Sequence, residues 1–180
     1  MKCIGYIAIS LDGFIARKDG GLDWLDIDTG GDDCGFKDFL LSIDAMIMGR
    51  VTFQKILEIG QWVYGDIPVF VPSTTLQQKD VPEHLSSKLT VVQGTPTSLM
   101  EDLKAKGKKR VYVDGGKTVQ SFIQEGLLDE LTLTQFPVLL GTGIPLFGET
   151  KGDVKWELVN SKAFAFGLVQ NHYKLLKRGL

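Results

Sequence analysis

Apolar positions follow two different periods along this chain, and the period changes every ten residues or so. Cys3 to Ser10 reads as a strand, while Phe36, Phe39, Leu40 and Ile43 recur at the i, i+3, i+4, i+7 spacing of an amphipathic helix. Ala45 to Gly49 is a short apolar run that predicts a buried strand, followed by a helix over Thr52 to Ile59. Ile67 to Val71 and Leu89 to Val92 predict two further strands. Ser98 with Glu101 has the form of a capping box that opens a helix, and Gly107 can close it. A strand over Arg110 to Asp114, a helix from about Lys117 to Glu125 and a strand over Glu130 to Val138 come next. Trp156 to Asn160 and Leu168 to Leu176 are then two strand-like segments with no helix between them, which predicts an antiparallel hairpin at one sheet edge.

Strands that alternate with helices imply an α/β fold, with a parallel or mostly parallel sheet covered on both faces. The length of 180 residues suits one domain, and 43% apolar residues suffice for a real core. The formal net charge is only -2, which creates no field to gather nucleic acid or an anionic membrane. Any anion must therefore be held by locally placed groups. No run approaches the ~20 apolar residues of a membrane span, and the first residues lack a signal-peptide layout, so a cytoplasmic protein is expected. Cys3 and Cys34 form no C-x-x-C, and His84 and His172 lie far apart, so no metal site is expected.

In open α/β sheets, ligands bind beyond the carboxyl ends of the strands, so the strand-to-helix turns are the places to look. In Ile47-Met48-Gly49-Arg50-Val51-Thr52-Phe53, a strand ends at glycine and a helix begins at once beside an arginine and a hydroxyl. That suits a phosphate, and equally a plain turn with a surface arginine. In Val111-Tyr112-Val113-Asp114-Gly115-Gly116-Lys117-Thr118, adjacent glycines allow a ligand to approach the backbone closely, or simply make a tight turn. A P-loop is excluded there, because Val111 stands where that motif needs glycine. The N-terminal run Ser10-Leu11-Asp12-Gly13-Phe14-Ile15-Ala16, with Asp19 to Leu25 around Trp24, suits a mobile cover for a flat ligand or a solvated acidic loop. Asp26, Asp28 and Asp32 are spaced like a calcium loop, but Lys37 occupies the position of its bidentate carboxylate.

In order, these segments resemble the dihydrofolate reductase superfamily, and more closely the single-domain relatives of the reductase half of the riboflavin-biosynthesis deaminase/reductase. Ser10 to Ala16, Leu22 to Leu25, Ile47 to Phe53, Asp114 to Lys117 and Leu139 to Phe147 carry the resemblance, which spans about residue 3 to residue 176. It implies a three-layer α/β/α fold binding NADPH across the strand ends. Gly49, Arg50, Val51 and Thr52 would then meet the cofactor phosphates, with Arg50 near the adenosine 2′-phosphate and Ser73 and Thr74 beside it. Asp114, Gly115, Gly116, Lys117 and Thr118 would form the pyrophosphate turn, where the family often carries a cis peptide. Ala8, Gly13 and Ile15 would line the nicotinamide.

On the substrate side the resemblance implies roles for Asp12, Trp24, Phe36 and Thr134, and for Asp33 as the catalytic acid of the folate enzymes. Lys37 replaces an aromatic of those enzymes, and the Leu139 to Phe147 segment belongs to the riboflavin-type relatives. The implied activity is therefore that of a 5-amino-6-(5-phosphoribosylamino)uracil reductase, with dihydrofolate reductase or a non-catalytic dinucleotide-binding domain as alternatives. The His-x-Glu and Pro-Cys-x-x-Cys ligands of the zinc deaminase are absent from the sequence. A homodimer is expected from the relatives, with the apolar tail from Phe164 to Tyr173 supplying an edge or face, or else completing the core.

Overall fold

The strand β3 (Ala45–Met48) is buried at every residue because it runs through the middle of the molecule. Ala45 and Ile47 pack into one apolar cluster, and Met46 and Met48 into another on the opposite face. A strand covered on both sides has no reason to alternate with polar residues, which explains the unbroken apolar run. The computed structural model describes residues 1–176.

Around β3 lies an eight-stranded sheet. Its order is β5 (Leu89–Val92), β4 (Val69–Pro72), β3, β6 (Arg110–Asp114), β1 (Lys2–Ile9), β7 (Glu130–Gln135), β10 (Val169–Leu175) and β9 (Trp156–Ala163). The first six are parallel to one another, and β10 runs antiparallel to both β7 and β9. Helices α1 (Phe36–Ser42) and α2 (Arg50–Ile59) cover the face that carries Met46, Met48 and Tyr112; α3 (Pro96–Ala105) and α4 (Gly116–Gln124) cover the face that carries Val111 and Val113. A ribbon of β2 (Phe14–Ala16) and β8 (Ile144–Pro145), absent from the sequence expectations, ties the two glycine-rich loops together. A third apolar cluster joins Trp24, Phe136, Phe164 and Leu168, so Phe164 and Leu168 of the tail are buried within the chain's own core.

Two boundaries differ from expectation for local reasons. Helix α3 starts two residues before Ser98, because Pro96 has no N–H to leave unsatisfied and a fixed φ suited to the first helical position. The cap is consequently Thr95, whose hydroxyl accepts the Ser98 N–H at 3.2 Å, and Glu101 closes no box. Thr95→Ala is expected to cost about 1 kcal/mol in urea denaturation, the usual worth of such a cap. Strand β7 stops at Gln135 rather than Val138, because Pro137 cannot donate to a ladder.

Candidate functional site

The sheet order places a switch point between β3 and β6. From β3 the chain turns through α2 to β4 on one side, while from β6 it turns through α4 to β7 on the other, and the two helices lie on opposite faces. A crevice opens at the carboxyl ends of strands where connections diverge in this way. The two turns that bound it are the two that stood out in sequence, and they interlock. The Gly49 N–H donates to the Asp114 carbonyl at 3.0 Å. A Cβ on Gly49 would lie 2.7 Å from the Thr118 hydroxyl, and one on Gly115 would lie 2.5 Å from the Thr52 hydroxyl. Glycine is required at both positions because each faces a threonine of the other turn.

Both helices open on glycine, Gly49 for α2 and Gly115 for α4, and neither has a side-chain cap. The first N–H groups of a helix have no partner within it, so Arg50, Val51 and Thr52 on one side, and Gly116, Lys117 and Thr118 on the other, aim donors and two dipole ends at the same crevice. Arg50 adds a guanidinium whose Nη1 donates to Gln54 at 2.7 Å, leaving further N–H groups for a ligand. This donor set fits a pyrophosphate and a nearby phosphate. The peptide bond between Gly115 and Gly116 is trans, and Gly115 turns the corner through φ 96°, a conformation open to glycine.

Beside Arg50, a cleft of about 440 Å³ runs between α2 and the segment after β4, lined by Phe53, Leu57, Thr75 and Leu76 among others. The Ser73 hydroxyl accepts the N–H groups of Thr75 and Leu76 and lies 3.4 Å from the Thr75 hydroxyl, so Thr74 carries the freer hydroxyl of the three. On the other side of the crevice, Ile15 of β2 packs against Gly116, where a Cβ would meet its Cδ1 at 2.8 Å. Gly13 takes φ 81° and accepts the Leu146 N–H through its carbonyl. Asp12 accepts from the Ser10 hydroxyl and from the N–H groups of Leu140 and Gly141, which hold its carboxyl below the usual range. It is a clamp between two loops, and those bonds occupy the oxygens that the sequence reading offered to a substrate.

The floor of the crevice is β1. Tyr6 and Ala8 lie in the middle of the sheet yet remain partly exposed, on the face that also carries Thr134 of β7 and Asp114 of β6. Asp114 is half-buried at the end of β6, and burial pushes its carboxyl up to about 6, against the opposing pull of the Gly115 N–H and the Tyr112 hydroxyl. Phe36 leans on Tyr6 with ring centroids 5.7 Å apart, and Phe39 stacks on it at 4.5 Å. Trp24 is buried edge-on to Phe136, and its Nε1 finds no partner among the described residues.

Asp33 does not take the position expected of a catalytic acid. It is exposed, and its carboxylate accepts the N–H groups of Gly35 and Lys37 at the entrance to α1, which hold it below the usual range. Those N–H bonds favour its ionised form. The carboxyl that retains a proton more readily is Asp114, included in the sequence reading only as part of the cofactor turn. The available signal was its place, one residue past a strand's apolar run and directly before two glycines.

Over residues 2–170 the chain matches the family described as the RibD C-terminal domain. It belongs to that family. The domain is 35% identical over 174 residues to the uncharacterized protein YwjB of Bacillus subtilis (strain 168), covering 96% of this chain and 97% of the relative. It also superimposes on a putative riboflavin biosynthesis protein of Shewanella sp. PV-4, with TM-score 0.92, 39% identity and coverage of 98% of this chain and all of the other. The RibD of Acinetobacter baumannii shares the fold at TM-score 0.68 and 16% identity, over 98% of this chain and 58% of that one. The architecture is accordingly dihydrofolate reductase-like. No helix among its described residues is long and apolar enough to cross a membrane.

Proposed function

We propose that the protein is an NADPH-dependent reductase acting on a C=O or C=N carbon of a small polar substrate, of the kind a solved relative from Thermotoga maritima is named for, 5-amino-6-(5-phosphoribosylamino)uracil. One observation carries this: two glycine-capped helix ends interlock at the switch point, with Arg50 beside them. When bound, NADPH supplies the hydride. The first turns of α2 and α4 would hold its pyrophosphate, Arg50 with Thr74 and Thr75 its adenosine phosphate, and Ala8 and Ile15 its nicotinamide side. Asp114 would deliver the proton to the heteroatom of the reduced double bond and be reprotonated by water between turnovers.

Dihydrofolate reduction is the less favoured chemistry, because Asp33 holds the entrance to α1 and is exposed. The test is to follow NADPH oxidation with dihydrofolate and with the ribosylaminopyrimidine phosphate as substrates. Oxidation with the pyrimidine supports the proposal; NADPH binding with no oxidation by either compound favours a non-catalytic dinucleotide-binding domain. Arg50→Ala is expected to weaken NADPH about tenfold to a hundredfold in a fluorescence titration, the worth of a charged hydrogen bond, and to change NADH little. Equal loss for both nucleotides would remove Arg50 from the 2′-phosphate.

A further inference from the structure

The floor of the crevice continues across the sheet as a row of register partners. Ala8 of β1 pairs with Thr134 of β7, Thr134 with Gln170 of β10, and Gln170 with Lys162 of β9. Adjacent strands are about 4.8 Å apart, so Gln170 is rooted two strands from Ala8. Its side chain reaches back: Nε2 lies 2.9 Å from the Thr134 hydroxyl, 2.9 Å from the Tyr6 hydroxyl and 3.0 Å from the Cys34 carbonyl. The amide therefore sits over β7, next to the exposed part of β1.

Its orientation is set by chemistry. The Cys34 carbonyl can only accept, and it also receives the Tyr6 hydroxyl, so the amide must present nitrogen there. Cys34 itself is the one residue other than glycine with positive φ among those described, at 55°, and its carbonyl is what the amide grips. The Gln170 oxygen is left over. Among the described residues it has no protein partner, and it is not sealed in, since Trp24 Nε1 is the only buried side-chain polar atom there without one. Thr134 thus pairs with a neutral amide from β10, while the Asp33 carboxylate is engaged at the entrance to α1.

From this we propose that Gln170 determines substrate specificity: its amide oxygen accepts a hydrogen bond from an exocyclic N–H of a neutral ring, selecting an amino-substituted pyrimidine over a pterin. A pterin's amino group and ring nitrogen are matched by a carboxylate that accepts from both, whereas a single neutral oxygen matches one N–H. The inference rests on the reductase reading, because it places the ring beside the nicotinamide wall at Ala8.

The experiment uses the whole chain with NADPH bound and titrates 5,6-diaminouracil, uracil and dihydrofolate into the parent and Gln170→Leu by calorimetry. The parent is expected to bind diaminouracil about tenfold more tightly than uracil, and Gln170→Leu to lose that preference. If Gln170 only held the Cys34 loop in place, both pyrimidines would weaken alike and the ratio would persist, which overturns the assignment. Tighter binding of dihydrofolate than of diaminouracil by the parent overturns it too, as does binding of neither pyrimidine by a protein that still takes NADPH. Failure to bind NADPH at all would instead bring down the reductase reading on which the assignment stands.

Discussion

Replacing Asp114 with Asn is expected to lower kcat by about a hundredfold to ten-thousandfold, the usual contribution of a positioned general acid, and to leave NADPH affinity within a few-fold. The two effects separate because Asp114 stands beside the turn that would hold the pyrophosphate, while the donors there are backbone N–H groups of α2 and α4. Burial sets the pH dependence. With the carboxyl pushed up to about 6, the parent's kcat should fall as pH rises through that value, and the fall should vanish in the variant. Stability offers a second readout. The folded state keeps the proton to higher pH than the unfolded chain, so it binds more protons between about 4 and 6, and stability declines as pH rises through that window. Above it, an ionised carboxylate is held in a poorly solvated place. Asp114→Asn should therefore flatten the stability profile while sharply lowering turnover, the opposite pairing to that of a residue retained for folding.

The second large effect is expected from Gly115→Ala. At φ 96° an alanine is strained whatever the space, and here its Cβ would also lie 2.5 Å from the Thr52 hydroxyl and 3.4 Å from the Gly49 nitrogen. One of the two turns must move, and the donors of α2 and α4 would no longer converge. Loss of about 1–3 kcal/mol of stability is expected from the strain, with NADPH affinity reduced a hundredfold or more. Gly107 is the control. It has φ 74° with nothing within 4 Å of a Cβ, so Gly107→Ala should cost stability through the backbone alone and leave NADPH binding untouched. Should both variants lose NADPH equally, the interlocked turns would not be the binding element.

Much of the frame was legible because it depends on periodicity. The near-continuous burial of β3, the α1 stripe of Phe36, Phe39 and Leu40, and the terminal hairpin all follow from apolar spacing along one segment. The two glycine turns before α2 and α4 were legible because a glycine directly before a helix has a local cause. What escaped depends on contacts far apart in sequence. The β2–β8 ribbon is held by Asp12 reaching residues 128 and 129 positions away, and no window of sequence contains both partners. The partner of Thr134 is likewise remote in sequence. It comes from β10, because the antiparallel pairing of β7 with β10 brings Gln170 alongside. The engagement of Asp33 has a local reason that sequence did hold: an Asp before Cys-Gly at a helix entrance finds backbone N–H groups within reach.

The central claim is that the α2 and α4 turns together hold the phosphates of NADPH. Its most direct test is the backbone amide spectrum of the isotopically labelled protein during titration with NADPH. The amides of Arg50, Val51, Thr52, Gly116, Lys117 and Thr118 are expected to shift in concert with one dissociation constant. A saturable shift confined to other regions, or none at any of these six at saturating NADPH, would contradict it.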